Sequence, residues 1–192
     1  MDIYNRAKKL RIDTDVRRAI FVIEILSEKD MNMLERVRTL LNEEGNEFIT
    51  AVDEKNIIVV RRMGSGEGYT EAEKTARDML DVLKAEGVEE VHVAYGTIVH
   101  DIKEVSKSYK EAKLALDVGK IFYQDRNVLG YNGLGIGRLI HQLPVSLCEM
   151  FLQEVFKGNA VEQFDKETLM TVNAFFENNL NISETARQMY LH

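Results

Sequence analysis

The spacing of hydrophobic and polar positions changes several times along the chain, and the changes mark its elements. Residues 1–12 are polar, with a helical rhythm, and read as a lead-in. From Arg18 to Leu26 the run Arg-Ala-Ile-Phe-Val-Ile-Glu-Ile-Leu is rich in β-branched and aromatic residues, which predicts a strand. Over 30–44, Met33, Val37, Leu40 and Leu41 recur at helical spacing. Segments 47–52 and 56–61 flank Asp53-Glu54-Lys55 and predict a hairpin. A glycine-rich loop covers 63–69. Residues 70–86 place Ala76, Met79, Leu80 and Leu83 on one helical face, and 90–95 alternates as a strand closed by Gly96. A further helix is expected over about 101–119 and an edge strand over 127–131. From Gly133 onward the pattern is helical, interrupted by Pro144 and Gly158.

The order βαββαβ predicts an α+β fold, a ferredoxin-like antiparallel sheet with helices on one face. The expected division is a lead-in over 1–16, a sheet domain over 17–131 and an all-helical segment over 132–192.

That segment ends on two short helices. Leu169, Val172 and Phe176 share a helical stripe that runs into Asn178-Asn179-Leu180-Asn181. Ser183 is placed to cap a second helix, and Glu184 just inside favours its positive end. Ala186 is small enough for a close helix crossing. Two helices joined by a tight polar corner are how a helix-turn-helix begins. The helix that would enter the major groove is expected after Leu191-His192.

These residues resemble the C-terminal helix-turn-helix of the PucR family of bacterial transcription regulators, which includes the carbohydrate-diacid regulators. The matching positions are Leu169, Thr171, Asn178, Asn179, Leu180, Asn181, Ile182, Ser183, Glu184, Thr185, Ala186 and His192. The likeness continues upstream, where that family carries a GGDEF-like domain. Its marks are Ile12-Asp13, Arg17-Arg18, Ala94-Tyr95-Gly96, Ser108-Tyr109-Lys110-Glu111-Ala112, Ala115-Leu116, Gly133-Leu134-Gly135-Ile136 and Arg138-Leu139-Ile140. The resemblance implies a DNA-binding domain architecture resting on Asn181, Ser183, Thr185, Ala186 and His192, with His192 in the turn near the phosphates. It also implies a homodimer, a small-molecule effector sensed upstream in the parent protein, and operator DNA as the partner of the helix beyond His192.

Charge agrees with a DNA-reading element placed elsewhere. The chain carries a net charge of −7. From Asp165 onward the acids Asp165, Glu167, Glu177 and Glu184 outnumber Lys166 and Arg187, so phosphate contacts are sparse. No stretch approaches the roughly 20 apolar residues of a membrane helix, and the start lacks an apolar signal core. A cytoplasmic location without membrane contact is expected. The single cysteine, Cys148, reads as a small buried hydrophobe between Leu147 and Met150.

A working diguanylate cyclase sets Gly-Gly-Asp-Glu-Phe in its central hairpin and an acid on its first strand, and the acids hold Mg²⁺. Here the hairpin reads Val52-Asp53-Glu54-Lys55-Asn56, without the glycines, and the nearest strand acid is Glu24. Glu24 reads as a paired or solvent-facing strand residue, and the domain reads as catalytically dead, without a metal or cofactor. Gly130, Gly133, Gly135 and Gly137 lack the spacing and the βαβ context of a phosphate loop, which leaves an interdomain turn. The histidines His92, His100, His141 and His192 are scattered, with no ligand spacing among them. Phe175 and Phe176 sit in an apolar stripe and read as core.

The function expected is that of a fragment of a transcriptional regulator, whose GGDEF-like domain couples an upstream metabolite sensor to the helix-turn-helix and supports dimerisation. The alternative is a small-molecule or nucleotide-binding regulatory module that uses the relic GGDEF site.

Overall fold

The structure is a computed structural model that describes residues 2–26, 33–41, 47–53, 55–156, 165–178 and 180–190. Its contacts divide the chain into two compact units, Met1–Gln142 and Leu143–His192. The first unit therefore runs past Tyr131 and takes in residues 132–142, which the sequence pattern alone assigns to the helical segment.

The first unit contains a six-stranded sheet. Its strands are β1 (Asp15–Ile25), β2 (Glu47–Ala51), β3 (Asn56–Arg62), β4 (Val91–Tyr95), β5 (Val99–Asp101) and β6 (Val128–Gly130). The spatial order is β2-β3-β1-β4-β6, and β5 pairs with the first half of β1. All pairings are antiparallel except β4 with β6, which run parallel. The helices of this unit are α1 (Ile3–Lys9), α2 (Met33–Leu41), α3 (Tyr69–Ala85), α4 (Val105–Phe122) and α5 (Gly137–His141). The edge strand and the βαββαβ order stand as expected. The short β5 has no counterpart in the sequence reading.

The helices cover both faces of the sheet, where one face was expected. Register explains the split. Phe21 lies opposite Val59 and Tyr95, and Ile23 opposite Ile57 and Val93. These odd-numbered residues of β1 share a core with Val37 of α2 and Ala76, Met79 and Leu83 of α3. Val22 and its neighbour Ala94 instead pack with Ala112, Ala115, Leu116 and Val118 of α4. From Ala19 to Ile25 every residue of β1 is buried. A strand covered on both faces reads as a continuous apolar run and shows no alternation. The run from Ala19 to Ile23 has that form, and Glu24 interrupts it before Ile25.

The lead-in helix α1 belongs to this body. Tyr4 donates its hydroxyl to Asp101 Oδ2 at 2.6 Å, and the Lys103 ammonium lies 4.0 Å from the Tyr4 ring centre. Two further contacts fix the approach to β1. Arg17 donates to the carbonyls of Gly64, Ser65 and Glu67, gathering the loop before α3. Arg18 is buried and donates to the carbonyls of Val16 and Asp13, and that burial lowers its pKa.

The second unit holds α6 (Val145–Phe156), α7 (Lys166–Glu177) and α8 (Ile182–Gln188). Asp165 caps α7 by accepting from Thr168 N at 2.7 Å. The expected apolar stripe does not form a core here. Leu169, Val172 and Phe176 are exposed, and Ala174 is the buried residue of α7. Cys148 is half-buried, since α6 buries none of its residues.

Candidate functional site

The first-strand acid singled out in the sequence lies on the α4 side of the sheet. Glu24 sits there, 6% exposed, opposite Asn56 on β3 and His92 on β4. An isolated buried carboxylate is costly and needs a counter-charge. α4 supplies one, as Lys120 Nζ donates to Glu24 Oε1 at 2.6 Å. The other carboxylate oxygen, Oε2, lies 3.9 Å from His92 Nδ1, and neither atom makes a hydrogen bond among the described residues. Two turns N-terminal to Lys120, Lys113 Nζ donates to Asn56 Oδ1 at 3.1 Å.

The hairpin acid is also spent internally. Asp53 Oδ1 accepts from Lys55 N and Asn56 N, both at 2.8 Å, and from Asn56 Nδ2 at 2.9 Å. Hydrogen bonding, led by the Asn56 amide, holds the Asp53 carboxyl below the usual carboxylate range. Glu54 lies outside the described residues.

A Mg²⁺ ion wants several oxygen ligands in octahedral array. These residues do not fit it. The strand carboxylate is already neutralised by Lys120, Lys113 stands nearby, and Asp53 closes its own turn. Among the described residues no group of three or more His, Cys, Asp or Glu side chains is placed to hold a metal ion. The sequence reading of Glu24 as a paired strand residue stands. Spacing alone leaves His92 among scattered histidines and marks neither Lys113 nor Lys120. A usable signal existed, because one acid inside an apolar strand calls for a counter-charge from whatever packs on it.

The motif Tyr95-Gly96-Thr97 and the segment Ser108-x-x-Glu111 meet in space. Ser108 Oγ donates to Thr97 O at 2.7 Å, and Glu111 Oε2 accepts from Thr97 N at 3.0 Å and from the Thr97 hydroxyl. A β-carbon on Gly96 would overlap the Ser108 carbonyl oxygen. Gly96 therefore lets α4 press on the sheet, and the same contact interrupts the extended chain between β4 and β5. Gly133, Gly135 and Gly137 form a turn within the first unit that leads into α5, and Gly137 lies against Val118 and Phe122 of α4.

The residues expected to build a helix-turn-helix lie at the α7–α8 corner, with one reassignment. Asn181 caps α8, its backbone extended and its Oδ1 accepting from Glu184 N at 3.2 Å. Ser183, expected as the cap, lies inside the helix and is exposed. The helix starts two residues early because Asn181 is also the first residue after Leu180, which takes a left-handed φ of 64°. Thr185 is 5% exposed and donates its hydroxyl to Asn181 O at 2.8 Å. It is the buried residue of α8, whereas Ala186, expected at the crossing, is half-buried. Asn178 Nδ2 reaches Ala174 O at 2.9 Å and Gln188 Oε1 across the corner. Asn179, Leu191 and His192 lie outside the described residues.

A separate cavity of about 590 Å³ opens on the other face of the sheet, between α2, α3 and β3. No reading of the sequence had placed a site there.

The sequence pattern of the GGDEF-like domain family matches residues 2–118, and the chain belongs to that family. The chain is similar to the purine catabolism regulatory protein of Bacillus subtilis (strain 168), with 26% identity over 103 residues. That alignment covers 52% of this chain and 19% of the relative, so the chain spans about a fifth of that protein. Among solved structures, a regulator of polyketide synthase expression from Bifidobacterium adolescentis overlays at TM-score 0.47 and 15% identity. The overlay covers 98% of this chain and 71% of that one. A GGDEF domain from Pseudomonas aeruginosa overlays at TM-score 0.45 and 15% identity, covering 72% and 87%. No helix among the described residues is long and apolar enough to cross a membrane.

Proposed function

We propose that this chain is part of a cytoplasmic, PucR-type transcriptional regulator in which the GGDEF-like domain is a non-catalytic relay. An upstream segment of the parent senses a small metabolite, the domain helps to form a homodimer, and a helix following His192 reads operator DNA. The observation that carries the reading is the chemistry of the relic face. The Lys120–Glu24 ion pair and the closed Asp53 turn keep the acids that a cyclase would give to Mg²⁺. The likeness to a purine catabolism regulatory protein and the capped α7–α8 corner support the DNA-binding half.

Two assays test the reading. Purified protein given GTP and Mg²⁺ is expected to form no cyclic di-GMP above a blank preparation, and product formation overturns the relay. The parent protein should shift DNA from its own promoter region. The 192-residue chain should bind it weakly, since base readout and counterion release depend on the following basic helix. Tight sequence-specific binding by the 192-residue chain overturns the corner assignment.

A further inference from the structure

The cavity on the α2–α3 face has the size of a small-molecule site, about 590 Å³. One wall is a single face of α3, where Thr75, Asp78, Met79 and Val82 recur at spacings of three, four and seven. Met79 and Met63 are buried and give the floor adaptable, polarisable apolar surface.

The polar groups of the lining are unequal. Its two cations are engaged, Arg61 with Glu47 at 3.6 Å and Arg62 with Asp13. Glu67 accepts from Gly64 N at 2.6 Å and has no cationic partner among the described residues. The nearby Arg17 is spent on backbone carbonyls of the same loop. Asp78, also on the lining, makes no ion pair or hydrogen bond among the described residues. Thr75 is 3% exposed and lines the cavity, and its hydroxyl likewise makes no hydrogen bond among the described residues.

We propose that this cavity binds a small organic cation, a primary amine with an apolar body. The ammonium donates to the Asp78 carboxylate and the Thr75 hydroxyl, with Glu67 adding negative potential, and the body lies on Met63 and Met79. A carboxylate ligand would meet the carboxylates of Glu47, Glu67 and Asp78, while the two lining cations, Arg61 and Arg62, are already paired. The site lies on the face opposite Glu24 and stands apart from the DNA-binding reading, because it is measured on this chain without DNA.

The test uses the 192-residue protein labelled with ¹³C at its methionine methyls, the Met63 and Met79 signals being assigned by Met→Leu replacement. Phenethylamine and its anionic counterpart 3-phenylpropionate are titrated separately at fixed pH and salt. The amine is expected to move the Met63 and Met79 signals saturably, and the acid to bind at least about tenfold more weakly. Asp78→Asn should weaken amine binding about tenfold, the scale of one charge-assisted hydrogen bond. Asp78 is exposed, so this variant tests binding without threatening the fold. Thr75→Val should weaken amine binding and Thr75→Ser should preserve it. Equal response to the two probes, no saturable movement with either, or unchanged amine affinity in both Asp78→Asn and Thr75→Val overturns the proposal.

Discussion

Helices α4 and α6 invert the expected relation between apolar sequence and burial. α4, VSKSYKEAKLALDVGKIF, carries four lysines, yet it buries Ser108, Glu111, Ala112, Ala115, Leu116, Val118 and Gly119. α6, VSLCEMFLQEVF, has two charged residues and buries nothing. The difference lies in what each helix offers a neighbour. Ala112, Ala115 and Gly119 let backbone approach the sheet, and a β-carbon on Gly119 would overlap the Leu129 side chain. Close approach excludes water and gives dense packing. α6 presents Met150, Phe151 and Val155 to solvent, each more than half exposed. Fit to a partner surface decides burial, and hydrophobic content alone does not.

The sharpest test of this contrast pairs two phenylalanines. Phe21 is fully buried on β1, and Phe151 is 59% exposed on α6. Phe21→Ala should cost about 3–5 kcal/mol, the range for a buried aromatic truncated to a cavity. Phe151→Ala should stay within about 0.5 kcal/mol, as surface changes do. Urea unfolding followed by circular dichroism gives both values. Similar losses in the two variants would show that α6 has a covering partner and would break the comparison.

Next in size is Gly96→Ala, which tests whether close backbone approach holds α4 on the sheet. The added methyl must displace the Ser108 carbonyl, and overpacking of this kind costs about 1–3 kcal/mol. The same urea experiment should also show a lowered midpoint with an unchanged slope. An unaffected midpoint would mean that α4 can shift at no cost.

In the second unit the expected effect is smaller and local. Asn181→Ala removes the cap of α8 and should cost that helix about 1 kcal/mol. Hydrogen exchange should speed up for the α8 amides and stay constant in β1. Ser183→Ala serves as the contrast and should leave exchange unchanged, since Ser183 caps nothing.

The order of elements along the chain was legible because each element changed its residue spacing at a boundary. The paired faces were legible in principle from the unbroken apolar run Ala19–Ile23, which asked for cover on both sides. What local pattern could not show was which helix supplied that cover. The Lys120–Glu24 pair joins residues far apart in sequence, and the cavity beside Asp78 depends on three elements meeting. The corner at 178–181 was visible as a polar break, but Asn181 and Ser183 are both good caps. Only the backbone angles at Leu180 and Asn181 decide between them. Burial in the second unit misled for the reason α6 shows: Leu169, Val172 and Phe176 keep helical spacing without a surface to meet.

The smallest effect concerns the hairpin and depends on pH. Asp53 is exposed but receives four hydrogen bonds, and its carboxyl is held below the ordinary 3.8 chiefly by the Asn56 amide. A carboxyl whose folded pKa is depressed stabilises the fold above the ordinary value. That contribution fades as pH falls through the folded pKa. Asp53→Ala should therefore unfold at lower urea than the parent at pH 7, and the gap should narrow as pH falls below the ordinary 3.8. The other acids titrate alike in both proteins, so the difference isolates Asp53. A gap that stays constant from pH 7 to the acid limb would mean that the Asp53 turn is held by its backbone geometry and not by the charge of the carboxylate.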